Sequence, residues 1–286
     1  MGLSSLQLEA FLAVSQSLNF TKAAKSLHIT QSALSQRVLN LESELGVSLF
    51  IRHKSGLKLT ETAQNLVRYC QFKNQREDEF ISDLKEKDSS KLSGFLRVAG
   101  FSSVTRSILL PGLAPLLSKN DSIKLQLLTR ENYELWDLLK RNEVDYLILN
   151  EKMERQEVES VFLGYEDYVL LKSKSYQGKD IYLDHDEADD VTHRYLAKYP
   201  NALKKAHRQY LDDDYGILDA LKLGLGVGIL PMHLVKSEKS LVAIDPKHVL
   251  RMPVSLYFYR QPYYTKLHTH FVEAVLTSFQ KTLKQN

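Results

Sequence analysis

The stretch "NFTKAAKSLHITQSALSQRVLNLESELGVSLFIR", residues 19–52, constrains this chain more than any other. Asn19 is an N-cap for a helix over Thr21–Leu27, and the Ala23-Ala24 pair on that helix lets a neighbouring helix approach closely. After the break at His28-Ile29-Thr30, Thr30 caps a second helix. In it Ala33, Leu34, Val38, Leu41 and Leu45 recur at helical spacing, with Ala33, Leu34 and Val38 as the packed face, until Gly46 ends the run. Upstream, Leu6, Leu8, Phe11, Leu12 and Val14 read as a first amphipathic helix ending near Ser17. Downstream, Leu49–Ile51 is extended, Arg52-His53-Lys54-Ser55-Gly56 is a tight basic turn, and Leu57–Leu59 is a return strand, which together make a wing.

In such a unit the second helix presents short polar side chains near its N-terminus, where a backbone can approach base edges. Gln31, Ser32, Ser35 and Gln36 meet that requirement, and Lys22, Thr30, Arg37, Arg52 and Lys54 are of the type that grips phosphates. Taken singly, each also reads as an ordinary solvated side chain; the ordered set favours a nucleic-acid interface. Net charge is only +3, but the basic excess lies at the front, where Lys22, Lys25, Arg37, Arg52, Lys54 and Lys58 outnumber Glu9, Glu42 and Glu44.

From Thr60 a long polar helix is expected to about Lys87. Ala63, Leu66, Cys70, Phe80 or Ile81, and Leu84 approximate a three-and-four spacing that reads as a pairing seam, although Lys73, Asn74 and Glu77 interrupt it and fit a solvated connecting helix. The Ser-rich segment 88–94 is the linker. Beyond it, strands and helices alternate: Phe95–Ala99, a helix through Leu117, Ile123–Leu128, a helix through Arg141 and Val144–Leu149. A second set follows: Tyr165–Leu171, Ile181–Leu183, a helix near Asp189–Tyr199, a helix before Gly224, Val254–Tyr259 and a terminal helix over Lys266–Leu283. Alternation of this kind predicts parallel βαβ units in two α/β lobes, with ligands at strand carboxyl ends and helix N-termini.

The expected organisation is a winged helix-turn-helix over residues 1–59, a linker and dimerisation helix over 60–88, a hinge over 89–94 and a two-lobed regulatory domain over 95–286. With 43% apolar and 26% charged residues and no apolar run of membrane-span length, no membrane partner is expected. The N-terminus reads as free of a secretory signal, so the cytoplasm is the expected location. Cys70 is the sole cysteine and reads as a packing residue. Asp189 and His193, or Asp190 and His193, have a helical spacing compatible with a metal, yet the run Asp184-His185…His193 reads better as a solvated, helix-opening segment; no metal or cofactor is expected. Gly224, Gly226 and Gly228 follow a helix and precede a strand-like run, the reverse of a dinucleotide fingerprint. No nucleophile elbow is present, and an enzyme is not expected.

"LQLEAFLAV", the stretch quoted above and "LTETA", in that order, closely resemble the LysR-type transcriptional regulators. The distal part is most similar to the ArgP and LysG branch, through "SVTRSILLPGLAPLL", "LLKRNEVD" and "DHDEADDVTHRYL". The resemblance implies a winged helix-turn-helix, a pairing linker helix and an effector domain like periplasmic binding proteins. It further implies a homodimer or homotetramer on a double-stranded operator, and a small-molecule effector such as lysine or arginine. By the same resemblance Ser32, Ser35 and Gln36 read bases and Arg52 is a wing contact. An amino-acid effector needs donors for its carboxylate and acids for its amines. Ser102, Ser103 and Thr105 are candidates for the carboxylate, with helix capping as the competing reading of the two serines. Glu131, which also suits a first-turn acid, and Asp184 are candidates for the amino groups.

Overall fold

The computed structural model describes residues 2–53, 56–85, 91–178, 181–187, 189–202 and 207–283. Two compact units emerge, one of residues 1–89 with 140–142 and one of residues 90–139 with 143–286.

The first unit opens with α1 (Ser5–Ser17), α2 (Phe20–Ser26) and α3 (Gln31–Leu45), followed by the two-stranded ribbon β1 (Phe50–His53) and β2 (Gly56–Leu59) and by the 25-residue α4 (Glu61–Lys85). The boundaries follow from local chemistry. Asn19 accepts the Lys22 amide at 3.0 Å, Thr30 accepts the Ala33 amide at 3.2 Å, and Gly46 leaves α3 at φ 66, a left-handed value that glycine adopts without strain. Ala23 and Ala24 are buried with Ala10, Val14, Leu34 and Val38, whereas Ala33, expected on the packed face, is exposed. At 100° per residue, Leu34, Val38 and Leu41 already define the inward side, and Ala33 falls away from it.

The seam expected on α4 also divides. Of its residues Ala63 and Cys70 are buried, and Leu66 partly so, against Leu8, Phe11, Leu41 and Leu49 of the same unit, joined there by Val67, while Phe80 is 64% exposed and Ile81 is exposed with it, as is Tyr69. A three-and-four stripe looks alike whether its own domain or another chain covers it. Burial pushes the Cys70 thiol up to about 11 against the opposing charge of Lys73, which keeps it a protonated packing group. Leu84 belongs to the expected seam, but its side chain lies outside the described ones.

The second unit contains β3 (Gly94–Gly100), α5 (Ser102–Val104) running through a π-turn (Thr105–Leu109) into α6 (Leu110–Lys119), then β4 (Ile123–Thr129), α7 (Asn132–Lys140) and β5 (Tyr146–Leu149). There follow β6 (Val158–Ser173), β7 (Ile181–Asp184), α8 (Asp190–Lys198), β8 (His207–Tyr210), α9 (Asp214–Lys222), β9 (Val227–Pro231), α10 (Met232–Val235), β10 (Leu241–Ala243), β11 (Leu250–Tyr259) and α11 (Lys266–Thr282). The strands run β4-β3-β5-β11-β6-β9-β7-β8, with β10 also on β6. Parallel pairing holds for β3/β4, β3/β5, β7/β8 and β7/β9, but β6 and β11 are antiparallel to their neighbours, so the parallel βαβ units lie within a mixed sheet. The reason is the 16-residue β6, which pairs with β11 along its first two-thirds and with β9 and β10 at its end, carrying one chain from the first lobe's sheet into the second's.

Each lobe is covered on both faces. Leu96, Ile108, Phe258 and Phe271 pack on one side of the first and Leu135, Trp136 and Leu147 on the other; Ile217, Leu218 and Leu230 pack one side of the second and Tyr168, Tyr195 and Met252 the other. Within the first lobe α6 and α11 touch at Gly112, where an added Cβ would stand 2.4 Å from both Cβ and Oγ of Ser278, whose hydroxyl is held by the Ile108 carbonyl at 2.9 Å. Helix propensity alone favours alanine over glycine by about 1 kcal/mol, but overpacking costs about 1–3 kcal/mol. We therefore expect Gly112→Ala to lower urea stability by about 1–2 kcal/mol, read from the fluorescence of Trp136, the sole tryptophan and a residue of this unit. A gain in stability would show that the α6–α11 contact yields.

Candidate functional site

Two surfaces concentrate polar chemistry, one in each unit. In the first, Ser32, Gln36, Leu39 and Asn40 lie exposed along α3 opposite its buried stripe, with Gln31 exposed at the helix start and Ser35 and Arg37 half-buried on the flanks. Gln36 Nε2 donates to Asn40 Oδ1 at 2.8 Å, Thr21 Oγ1 donates to Gln31 Oε1 at 3.2 Å, and the hydroxyls of Thr30 and Ser32 are 3.0 Å apart, so the polar set is held in a defined arrangement. Lys22 is exposed on α2. Glu42 of α3 accepts the amides of Leu49 at 2.6 Å and Phe50 at 3.3 Å, and the Phe50 ring lies 5.7 Å from Phe11 and 5.8 Å from Phe20, which fixes the ribbon to the helices. Arg52 lies on β1, though its side chain is not among the described ones, and Lys54 lies outside the described residues.

In the second unit a cavity of about 130 Å³ opens among the residues following β3, β4, β5 and β7 and the start of α9. Its lining includes Ser102, Glu131, Glu151, His185, Asp186 and Asp214, with Phe101, Val191 and Ile229 as the apolar part. His185 is the hub: Nε2 lies 3.1 Å from Asp214 Oδ1 and Nδ1 lies 3.8 Å from Glu131 Oε2. Burial opposes its charge, but Asp214 and Glu131 outweigh that and raise the imidazole to about 11. Burial likewise works against the Asp214 carboxylate, yet His185 and the hydroxyls of Ser102 and Ser103 hold it below the ordinary range. An imidazolium therefore bridges two carboxylates on different lobes.

Behind the cavity wall lies a carboxyl of opposite behaviour. Glu166 is 0% exposed; Ser103 donates to its Oε1 at 3.0 Å and Tyr168 to its Oε2 at 2.5 Å. Burial lifts it to about 8 in spite of those donors, and Asp214 adds to the rise. His233 Nδ1 faces it at 3.4 Å, and burial lowers that ring to about 4, so the two meet uncharged at neutral pH. Tyr168 in turn receives Asn150 Nδ2 at 3.3 Å, and Asn150 Oδ1 receives Asn132 Nδ2 at 2.7 Å.

Of the residues expected at the effector, Ser102 and Glu131 line this cavity. Ser103 turns inward to Glu166, and the Thr105 hydroxyl donates to the carbonyls of Phe101 at 2.9 Å and Ser102 at 3.2 Å, so both stand behind the lining of this cavity. Asp184 is a correction: it is buried, paired with Arg208 and bonded to Thr192 at 3.0 Å, and the cavity instead receives the next residue, His185. Burial and neighbouring Asp189 hold Asp184 at about 6 against the pull of Arg208. Asp189 caps α8 through the Val191 amide at 2.9 Å, and Asp190 pairs with Arg194. Among the described residues no His, Cys, Asp and Glu group has a metal-binding arrangement. Sequence reasoning missed Asp214, Glu151 and Glu166; the legible signal was two acids, Glu166-Asp167, inside an otherwise apolar strand pattern.

Residues 6–64 match the family model for a bacterial regulatory helix-turn-helix protein of the lysR family, and residues 89–280 match that for a LysR substrate binding domain. The HTH-type transcriptional regulator HdfR of Yersinia enterocolitica is 30% identical over 166 residues, covering 58% of this chain and 56% of that protein, so the match spans little more than half the length of such curated relatives. The solved structure of ArgP from Mycobacterium tuberculosis is similar over 100% of both chains at a TM-score of 0.79 and 19% identity. Full-length LysG from Corynebacterium glutamicum with bound effector Arg is similar over 98% of this chain and 99% of that one, at 0.77 and 20%. These likenesses show a shared fold.

Glu166 sets a pH dependence of stability. The folded state keeps its proton to about pH 8, whereas an unfolded glutamate loses it near 4.5, so the folded state binds more protons across that window and stability falls as pH rises through it. His185, raised to about 11 from 6.5, adds a loss above pH 6.5. Glu166→Gln is expected to raise the Tm more at pH 8.5 than at pH 5, with the residual alkaline slope left to His185. An equal shift at both pH values would refute a buried, protonated Glu166.

Proposed function

The chain belongs to the LysR family of bacterial helix-turn-helix regulators, whose two family models together match most of its length, and from that premise we propose that it is a DNA-binding transcriptional regulator, acting on DNA in the cytoplasm, whose second unit takes a small cationic effector. The observation that carries this reading is the joint presence of a capped, polar-faced helix beside a wing and of a carboxylate-lined cavity in the other unit. Residues 1–59 bind double-stranded DNA, 60–88 pair two subunits with the exposed Tyr69, Phe80 and Ile81 supporting that contact, 89–94 act as the hinge, and 95–286 receive the effector. The protein works as a homodimer or homotetramer on an operator.

Ser32, Ser35 and Gln36, with Gln31 at the helix start, read base edges; Lys22, Thr30, Arg37, Arg52 and Lys54 hold phosphates. Lysine and arginine are the amino-acid effectors that suit an acidic lining of Glu131, Glu151 and Asp214, and the arginine named with LysG supports that choice by analogy of fold. Because Ser102 and Asp214 join the lobes across the cavity at 3.3 Å, a ligand there shifts the balance between open and closed lobes and so alters how paired subunits bend their operator.

The test is selection of duplexes from a random pool by the full chain, followed by footprinting and bending measurements with and without lysine or arginine. Failure to enrich any sequence would sink the DNA-binding reading, and unchanged footprints and bending at every ligand concentration would sink the coupling. On the selected operator, Lys22→Ala is expected to weaken binding to all sequences alike and to reduce the slope of log affinity against log salt by about 0.9. Gln36→Ala is expected to relax discrimination at one base position by about 1–3 kcal/mol. Both read out by titration of a labelled duplex across salt concentrations.

A further inference from the structure

The proposed effector site carries more chemistry than a preference for positive charge. Its lining holds six carboxylates, those of Glu131, Glu151, Asp186, Asp189, Asp190 and Asp214, and among the described lining residues the imidazolium of His185 is the one cationic side chain. Arg194 answers Asp190, and His185 is already shared by Asp214 and Glu131, so even with Asp186 left out of the count the acids of the lining outnumber these two cations. The donors of the wall are committed as well. Ser102 Oγ donates to Asp214 at 3.3 Å, Asn132 Nδ2 to Asn150, Asn150 Nδ2 to Tyr168 and the Tyr168 hydroxyl to Glu166. Conversely, the amide oxygen Asn132 Oδ1 is buried with no donor among the described residues, a lining acceptor open to an N–H. Tyr133, the remaining hydroxyl of the lining, is 70% exposed.

An amino acid brings an α-carboxylate into this enclosure, and that group needs donors, whereas the Ser102 and Tyr168 hydroxyls and one N–H each of Asn132 and Asn150 already serve the wall's own acceptors, beside like charges that repel it. An organic dication needs only acceptors at its two ends and an apolar strip for its methylene chain, and Phe101, Val191 and Ile229 supply the strip. We propose that the cavity selects a compact organic dication without a carboxylate, a diamine or guanidino-amine, over the amino acid of the same side chain. This rests on the reading that the cavity takes a cationic effector, and within that class it sets the decarboxylated counterparts of lysine and arginine ahead of the amino acids themselves.

Matched pairs that differ by one carboxylate test it: calorimetric titration of the full chain with cadaverine against lysine, agmatine against arginine and putrescine against ornithine. At least one decarboxylated partner is expected to bind ten-fold or more tightly than its amino acid, and Glu151→Gln is expected to weaken that binding at least five-fold. Equal or tighter binding of the amino acids would seat a carboxylate on the first-turn amides of α7 and overturn the proposal while leaving a cationic effector in place. Silence from both members of every pair, with operator binding intact, would overturn the proposal and the cationic-effector reading together. Diamine affinity unchanged by Glu151→Gln would assign binding to general acidic surface and also overturn it, and the conservative change of an acid to its amide keeps the fold measurable by circular dichroism.

Discussion

Glu166 sits, fully buried, at the middle of a strand that two lobes share, and much of the second unit is arranged so that this burial is tolerable. An ionised carboxylate in that position would cost far more than a hydrogen-bonded acid, so the side chain keeps its proton and takes its bonds from Ser103 and Tyr168. Those two partners belong to opposite sides of the problem: Ser103 lies in the first helix of one lobe, and Tyr168 packs in the core of the other. Through Tyr168 the network continues to Asn150 and Asn132 on the first lobe, and through the paired serines it reaches Asp214 at the start of α9. A polar chain therefore crosses between lobes exactly once removed from the cavity it backs, and cooperative satisfaction of its members is what fixes the wall.

Charge is distributed across that wall in two ways. On the cavity side Asp214 remains ionised because His185 and two hydroxyls stabilise it; on the inner side Glu166 and His233 meet uncharged because desolvation outweighs the hydrogen bonds there. The same element types, acid and histidine, thus give an ion pair at 3.1 Å on one side and a neutral contact at 3.4 Å on the other. The difference is set by exposure and donors, not by residue identity.

The first unit shows a comparable economy of means. Caps at Asn19 and Thr30 start its two short helices, and Glu42 pins the wing to α3 through two amides. Its core then takes Ala63, Val67 and Cys70 from α4, leaving the exposed Phe80 and Ile81 as the part of the helix whose apolar surface is not used by its own domain. Periodicity alone cannot apportion such a stripe, because the spacing that suits a domain core suits a pairing surface too.

The caps, the wing, the strand-helix alternation after residue 94 and the acidic run from Asp184 to Asp190 were legible in the sequence because each is local: a cap needs residues three positions apart, and a strand or helix needs only its own period. What the tertiary structure alone decided is which of those acids faces the cavity. Asp184 and His185 are neighbours, yet Asp184, the last residue of β7, turns to Arg208, while His185, the first residue past the strand, enters the cavity. Asp214 joins it from 29 positions further along and Glu131 from the other lobe, a convergence set by strand order in a mixed sheet that no short-range pattern records.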